Sequence, residues 1–337
     1  EWFGDDGLII SPILRFVEIV YDDPQIHSRY KAKADYYLAE IEDHIIAKWY
    51  ANWEPDPPHS STGDGPRADN GYHVYDWAGW INQPLNMYLS FTDALVTLSR
   101  LTGNPHYISN HPEFRDFYAE SAESMLNYFH STLQLVPQNN SYIWKYGYNT
   151  AWPNLMEDVG HAFIDIQAAL QGMKSEMVFS TVDFQRFANT FVHQVWNGSL
   201  ADPQFHYYVD GKPNALDATN GYWGWGFLYL CGYDYKIWEA MASYFQQHIN
   251  LRQNSPYISV TAAMLAVGTQ RYDVWSPEPP TNIQLSAIGK DLLLAWDHPQ
   301  RDADGSALTG LAGYQVYGST SADGPFMRLN SIPLKTN

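Results

Sequence analysis

Three side chains that can exchange protons lie close together in WPNLMEDVGHAFIDIQAAL, residues 152–170. Glu157 and His161 are four positions apart, so on a helix they project from the same side. Asn154 and Asp158 are residue types that cap helix starts or favour the helix dipole. The helix N-terminus lowers the pKa of an imidazole and a neighbouring carboxylate raises it. His161 is therefore predicted to titrate close to neutral pH, as a proton-abstracting base requires.

Structural interpretations compete with this chemistry. Asn154, followed three residues later by Glu157, resembles a capping box, and Asp158 can act on the helix dipole alone. Glu157 is thus open between capping the helix and orienting the imidazole. His161 has no capping role on the side away from the apolar stripe of this helix. We therefore predict His161 as the base, with Glu157 beside it.

Other reaction classes leave no local signal. The chain lacks an HExxH motif, a cysteine pair and a calcium-loop pattern, so we predict no metal and no cofactor, although a Glu/Asp/His cluster can recruit a cation. No nucleophile elbow, phosphate loop or dinucleotide fingerprint is present. The net charge of -18 argues against a nucleic-acid partner. No run of about 18 apolar residues predicts a membrane span.

Aromatic residues are abundant: 13 Trp, 25 Tyr and 15 Phe against 19 Lys and Arg. This composition suits a large aromatic core, or surfaces on which sugar rings stack. The acidic, aromatic-rich chain is expected to be secreted or periplasmic. Side chains in the long aromatic loops and at their ends are the predicted substrate-binding residues: Arg67, Trp77, Trp80, Asn82, Gln83, Lys145, Tyr146, Lys212, Trp223 and Trp225.

The elements that must position these residues are helices. Apolar spacing predicts helices at 8–21, 25–50, 84–103, 112–134, 156–173, 180–197, 224–249 and 256–272. They fall into hairpins separated by long aromatic connections, which predicts an α/α toroid whose loops frame a cleft. A helical bundle or solenoid is the alternative. Because only four hairpins are visible, we expect an incomplete barrel that lacks N-terminal helices.

After residue 275 the apolar pattern alternates as in strands. A Pro-rich start, Trp296 and the segment GYQVYG resemble part of a fibronectin type III module, an all-β spacer or accessory domain. The remaining strands are expected beyond residue 337. The sequence thus predicts two domains, a mainly α catalytic domain at 1–275 and a partial fibronectin type III-like domain at 276–337.

The helix start EDVGHA and the later segment NGYWGWG resemble the α/α-toroid polysaccharide lyases, nearest to alginate and glucuronan lyases. The resemblance implies β-elimination of an anionic, uronic-acid-containing polysaccharide. It assigns His161 as base, Asn82 and Gln83 as neutralisers of the substrate carboxylate, and Tyr222 or Tyr208 as acid/base tyrosine. The arginine that often precedes this tyrosine is missing here, and Lys212 is the only cation nearby.

Two other functions stay open at this stage. A glycoside hydrolase on the same fold needs two carboxylates, about 5–5.5 Å apart for retention or about 6.5–9.5 Å apart for inversion. Asp76 with Glu157 or Asp158 is the best available pair. A non-catalytic carbohydrate-binding protein would use the aromatic loops without any chemistry.

Overall fold

The computed structural model describes residues 3–50, 53–55, 72–74, 84–147, 154–212, 224–248, 261–266, 279–289, 291–301, 314, 316–319 and 327–328. These residues are mostly helical, with small two-stranded antiparallel sheets, so the mainly α prediction is confirmed. The chain divides into two compact units, Glu1–Asn250 and Leu251–Asn337. None of the helices in the described ranges is both long and apolar enough to cross a membrane.

The first unit is built from helices with short strands between them. Its α-helices are α1 (Phe3–Asp22), α2 (Pro24–Glu40), α3 (Ala47–Tyr50), α4 (Leu85–Thr102), α5 (Phe114–Thr132), α6 (Val159–Lys174), α7 (Thr181–Thr190) and α8 (Lys236–His248). A π-helical turn, Ile41–Ile46, joins α2 to α3, another, Phe191–Val195, continues α7, and a 3-10 helix, Gly224–Leu230, precedes α8. Strand β1 (Trp53–Pro55) pairs with β2 (Tyr72–Val74), and β3 (Gln134–Val136) pairs with β4 (Ser141–Ile143).

Helix starts follow local sequence signals. The Asp23 side chain accepts the N–H groups of the first turn of α2, and Pro24 occupies a position where a missing N–H costs nothing. Ser180 and Asp183 form a reciprocal capping box at α7. The predicted helix 224–249 is wrong in its middle, because a turn at 231–235 separates the 3-10 helix from α8.

Helices α1 and α4 lie side by side and run in the same direction. Gly7 of α1 meets the backbone at Phe91 of α4, and Arg15, two turns later, pairs with Asp93. A Cβ atom at Gly7 would lie 2.5 Å from the Phe91 nitrogen, so only glycine lets the two backbones approach this closely. The close approach places the N-terminal ends of both helices on one side of the unit.

Helix α6 joins this row in the same direction. Gln167 of α6 donates to Asp93 at 2.8 Å, and Arg100, farther along α4, donates to Gln171 at 3.1 Å. Arg100 also binds Glu18 of α1 at 2.6 Å, so one side chain connects all three helices. The N-termini of α1, α4 and α6 consequently lie on the same side of the row.

Aromatic side chains supply much of the core of the first unit. Trp144, Phe129 and Phe187 are fully buried, and their rings pack with centroids 5.5 to 6.2 Å apart. Phe191 and Phe227 extend the same kind of packing to the 3-10 helix. A part of the high aromatic content therefore serves the core.

A buried carboxylate lies in the π-helical turn after α2. Glu42 is 1% exposed and accepts hydrogen bonds from Tyr107 at 2.6 Å, Ser109 at 2.6 Å and Tyr118 at 2.9 Å. These three hydroxyl donors satisfy the charge inside the protein. The π turn thus ties α2 to the α4–α5 connection and to α5.

The second unit contains the strand pairs expected after the Pro-rich segment. Strand β5 (Thr281–Ile288) pairs antiparallel with β6 (Asp291–Asp297), and β7 (Tyr317–Gly318) pairs with β8 (Met327–Arg328). The rings of Trp296 and Tyr314 lie 5.0 Å apart. A helical run at 261–266 belongs to the same unit. The resemblance of this unit to a fibronectin type III module stays a prediction. The domain boundary at residue 275 also stays a prediction.

Candidate active site

The candidate site lies at the N-terminal end of α6, where three extended segments pair. Residues 155–159 form the middle segment, between 144–146 on one side and 207–209 on the other. Four backbone hydrogen bonds define the layer: Tyr146 N to Leu155 O at 3.0 Å, Glu157 N to Trp144 O at 3.0 Å, Val159 N to Tyr207 O at 2.9 Å and Val209 N to Glu157 O at 3.0 Å. Three segments that are distant in sequence therefore meet beside one helix end.

The extended backbone separates the two neighbouring acids. Successive side chains of a strand point to opposite faces. Glu157 is 0% exposed, whereas Asp158 reaches the ring of His161. The predicted helix start at 156 is wrong, since α6 begins at Val159 and Glu157 lies in the extended segment before it. Because Glu157 lies outside the helix, the prediction that Glu157 and His161 project from one helix face is wrong. The prediction that Asn154 caps this helix is also wrong, because the helix begins at Val159.

Asp158 is the N-cap residue of α6 and so lies one position before the helix, not in its first turn as predicted. Its Oδ1 accepts the backbone N–H of His161 at 2.9 Å, and its Oδ2 lies 2.7 Å from His161 Nδ1. The bonded partner of the imidazole is therefore Asp158, and not Glu157 as the sequence suggested. The side chain of His161 is 48% exposed, so the ring remains accessible.

The carboxylate of Asp158 controls the chemistry of the ring. The hydrogen bond that His161 donates to the Asp158 carboxylate raises the pKa of His161 above its ordinary value, while burial acts in the opposite direction. A neutral ring that donates Nδ1–H to Asp158 has its lone pair on Nε2. Among the residues described, none hydrogen-bonds to Nε2. This arrangement is that of a general base with a fixed tautomer.

Two tyrosines from the neighbouring extended segments lie close to this pair, Tyr146 beside the imidazole and Tyr207 near the carboxylate of Asp158. The ring of Tyr146 lies 5.9 Å from that of His161, and Tyr207 stands perpendicular to Tyr208 at 4.8 Å. Burial raises the pKa of Tyr146, with Glu157 and Asp158 adding to it. Burial also raises the pKa of Tyr207, and Asp158 is the next cause. Both hydroxyl groups therefore keep their protons at neutral pH and can act as acids.

A second, buried carboxyl group lies behind the site. Asp165 follows His161 by one helical turn, is 0% exposed and accepts the indole N–H of Trp144 at 2.8 Å. Sequence reasoning missed Asp165. The available signal was a lone acid between Ile164 and Ile166 in an otherwise apolar run. Such an acid on a buried helix face needs a partner.

Glu157, Asp158 and His161 also satisfy the distance requirement of a cation site. One ligand atom from each lies within 4.8 Å of the others. Asp158 and His161 are already joined directly by the 2.7 Å hydrogen bond. Since this bond accounts for their positions, we assign no metal to them.

The remaining predicted residues have different surroundings. Lys145 lies in the strand next to Met156 of the middle segment. Lys212 is 76% exposed and pairs with Asp210 at 3.5 Å. Trp225 is buried, with its ring 4.4 Å from Phe163. The predicted residues outside the described ranges are Arg67, Asp76, Trp77, Trp80, Asn82, Gln83, Tyr222 and Trp223.

No protein-family model, curated protein or solved structure matches this chain. The features of this site that bear on function are the pairing of Asp158 with His161 and the two tyrosines near that pair.

Proposed function

We propose that this protein is a polysaccharide lyase that cleaves a uronic-acid-containing chain, alginate-like or glucuronan-like, by β-elimination. The observation that carries the proposal is the 2.7 Å hydrogen bond between Asp158 and His161. It fixes the tautomer of a half-exposed imidazole and leaves Nε2 as a base. Among the residues that the structure describes, no serine, threonine or cysteine hydrogen-bonds to His161, and a base of this kind suits proton abstraction from carbon.

The reaction needs one base and one acid. His161 Nε2 takes the proton from C5 of the uronic acid, and the electrons of the broken C–H bond form the C4–C5 double bond. The C4–O bond then breaks, and the leaving oxygen takes a proton from a tyrosine. Tyr146 and Tyr207 are the candidates beside the base, because burial and the neighbouring acids keep their hydroxyl groups protonated.

Tyr208 and Tyr222 remain secondary candidates for the acid. The Tyr208 ring packs edge-on against Tyr207, so it is adjacent to the proposed site. Its segment pairs with Asp158, which keeps it within the same layer. Tyr222 lies outside the described residues, and its role is carried by the sequence resemblance alone.

The substrate carboxylate requires neutralising groups near the same helix ends. Leu85 at the start of α4 donates its N–H to the carbonyl of Tyr146 at 2.9 Å, so the start of α4 lies beside the site. Asn82 and Gln83 come immediately before that helix. We propose that they bind the carboxylate, with Lys145 and Arg67 supplying positive charge.

The helical row supports an incomplete α/α toroid as the scaffold. Three parallel helices, α1, α4 and α6, are each followed by a second helix, as in inner and outer layers of such a fold. The base lies at the N-terminal side of the inner row, where loops would frame a cleft. We further propose that the strand pairs of the second unit are part of a fibronectin type III-like accessory module.

Glycoside hydrolysis is disfavoured by the position of Glu157. A hydrolase needs two carboxyl groups that face the substrate. Glu157 is 0% exposed and lies behind Asp158, so it cannot contact a sugar without rearrangement. Asp158 itself is engaged by His161.

One screen separates the functions. The protein is incubated with alginate, glucuronan, pectate, hyaluronan and neutral glucans, and ultraviolet absorbance and new reducing ends are measured together. A lyase produces both signals on an anionic polymer, because the new chain end carries a conjugated double bond. Reducing ends without that absorbance would indicate a hydrolase, and binding without either signal would indicate a non-catalytic protein. Both outcomes contradict the proposal.

A further inference from the structure

We infer that Glu157 and Asp165 form a buried carboxyl–carboxylate pair that shares one proton, held by Glu157, and that this pair positions Asp158 behind His161. Glu157 is then a positioning residue, not a catalytic one. The catalytic part of this inference rests on the proposed function, whereas the shared proton can be tested without it. The pair links two elements, the extended segment 155–159 and helix α6.

The first reason is the lack of donors at the two carboxyl groups. Glu157 Oε2 and Asp165 Oδ1 are buried, and neither accepts a hydrogen bond from an N–H or O–H group of the described residues. The other oxygens are satisfied: Glu157 Oε1 accepts the N–H of Asp158 at 3.1 Å, and Asp165 Oδ2 accepts from Trp144 at 2.8 Å. A proton on one carboxyl group supplies the missing donor for the other.

Two other buried acids show how carboxyl groups are supplied with hydrogen-bond donors inside this protein. Glu42 accepts three hydroxyl donors, and Asp183 accepts from Ser180, Tyr142 and His130. Burial raises the pKa of Asp183, but these bonds outweigh burial and bring it below its ordinary value. Within the described part of the chain, Glu157 receives one backbone donor only. Full ionisation of both Glu157 and Asp165 would leave uncompensated charge in the core.

The charges around the pair favour a proton on Glu157. Burial raises the pKa of Glu157 well above its ordinary value, and the charges of Asp165 and Asp158 raise it further. Burial raises the pKa of Asp165 to about 7, but the indole N–H of Trp144, the Glu157 side chain and the nearby His161 act in the opposite direction and favour its charged form. Among the described residues, Tyr146 and Tyr207 of the neighbouring segments also face Glu157 and Asp158. Farther along the row of α1, α4 and α6 lie the titratable side chains of Asp93, Arg15, Arg100 and Tyr229.

The link to the base passes through one backbone bond. Glu157 Oε1 holds the N–H of Asp158, and the next atoms of Asp158 cap α6 and bond the imidazole. A neutral Glu157 can accept this bond and donate to Asp165 at the same time. An ionised Glu157 would repel both Asp158 and Asp165, and the orientation of His161 would loosen.

The test replaces Glu157 by glutamine, which donates as a protonated acid does but cannot ionise. Glu157 has a folded pKa above its ordinary value of 4.5, so its contribution to stability is complete below that value and is lost as pH rises through the folded pKa. The unfolding equilibrium constant of the wild type should therefore rise by up to about tenfold per pH unit in that window. Glu157→Gln should lose the part of this increase that comes from Glu157 and keep only the part that comes from Asp165, whereas Glu120→Gln, on the exposed surface of α5, should retain the full increase.

Equal pH slopes in the wild type and in Glu157→Gln would overturn the inference. A bound divalent cation would also overturn it. The sign of such an ion would be one equivalent in the purified protein, together with a chelator that lowers the Tm of the wild type but not the Tm of Glu157→Gln. The variant Asp165→Asn provides a second measurement. Without the Asp165 charge, Glu157 ionises more easily, so the slope should move to lower pH.

Activity then tests the positioning role separately. Glu157→Gln should keep turnover within about threefold of the wild type near neutral pH and extend it to higher pH. Asp165→Asn should narrow the active range on its alkaline side. Activity of His161→Ala would contradict the proposed lyase, but it would leave the proton-linked stability of Glu157 untouched. The two failures are therefore distinguishable.

Discussion

Asp158 holds His161 with both of its carboxylate oxygens, one on the backbone N–H at 2.9 Å and one on Nδ1 at 2.7 Å. The same side chain thus starts helix α6 and orients the imidazole. Because the two bonds share one carboxylate, the position of the ring relative to the helix axis is set within three residues. Variants that keep the cap while altering the charge can separate the two roles.

Replacement of His161 by alanine should lower turnover by about 10²- to 10⁴-fold, the usual contribution of a general base. The ring is 48% exposed, so its loss should leave the fold intact. Initial rates of ultraviolet absorbance increase measure the effect, and circular dichroism checks the fold. His44→Ala removes another exposed imidazole and should retain full activity. Wild-type rates in His161→Ala would rule out this residue as the base.

Asp158→Asn should shift the pH dependence of activity. Asparagine caps helices as well as aspartate, so the free energy of unfolding should change by less than about 1 kcal/mol. The carboxylate that raises the pKa of His161 is lost, so the imidazole deprotonates at lower pH. The acidic limb of the kcat/KM profile should move to lower pH, and the plateau should fall by about tenfold or more. An unchanged acidic limb contradicts the pairing.

Tyr146→Phe and Tyr207→Phe identify the acid. Each change removes only a hydroxyl group, and the acid variant should lose about 10²- to 10⁴-fold in kcat with an intact fold. The other variant should change KM more than kcat. Tyr36→Phe, at a position that is 57% exposed on α2, is the matched control. Full activity of both site variants would move the acid to Tyr208 or Tyr222.

Asp183→Asn should destabilise the protein in a pH-dependent way. Hydrogen bonds from His130, Ser180 and Tyr142 hold the pKa of Asp183 below its ordinary value of 3.8. Its contribution to stability is therefore present above 3.8 and is lost as pH falls through the folded pKa. At neutral pH the variant should lose about 2–3 kcal/mol in urea unfolding, and the difference should shrink in acid. Asp202→Asn, at an exposed site, should show no such trend.

Gly7→Ala should weaken the contact between α1 and α4. The new Cβ atom would lie 2.5 Å from the Phe91 nitrogen, so the two backbones would have to move apart. Overpacking of this kind costs about 1–3 kcal/mol, which thermal or urea unfolding can measure. Gly103→Ala, where the nearest atom is 3.5 Å away, should be nearly neutral. Equal stability of the two variants would contradict the tight crossing.

Local signals in the sequence predicted the helices well. Apolar periodicity located α4, α5 and α6 to within three residues at their ends. The acids before His161 indicated a helix start nearby, and the helix begins three residues later than predicted, with Asp158 as its cap in place of Asn154. These features depend on neighbouring residues only, so a single sequence contains them.

The features that the sequence did not predict depend on distant pairing. Strand-like bonds to Trp144 and Val209 keep Glu157 extended, and helix propensity alone cannot anticipate them. The role of Asp165 was not predicted, because its hydrogen-bond partner Trp144 lies 21 positions earlier in the chain. Tyr207 reaches the site through the same layer. Contacts between such separated segments arise only after the chain has folded.

The alternation of side chains along 155–159 gives two adjacent acids of the same chemistry unlike environments. Because neighbouring side chains of an extended segment point to opposite faces, Glu157 enters the core and Asp158 reaches His161. The pairing of 155–159 with 144–146 and with 207–209 is therefore as much a determinant of the site as the identity of its acids.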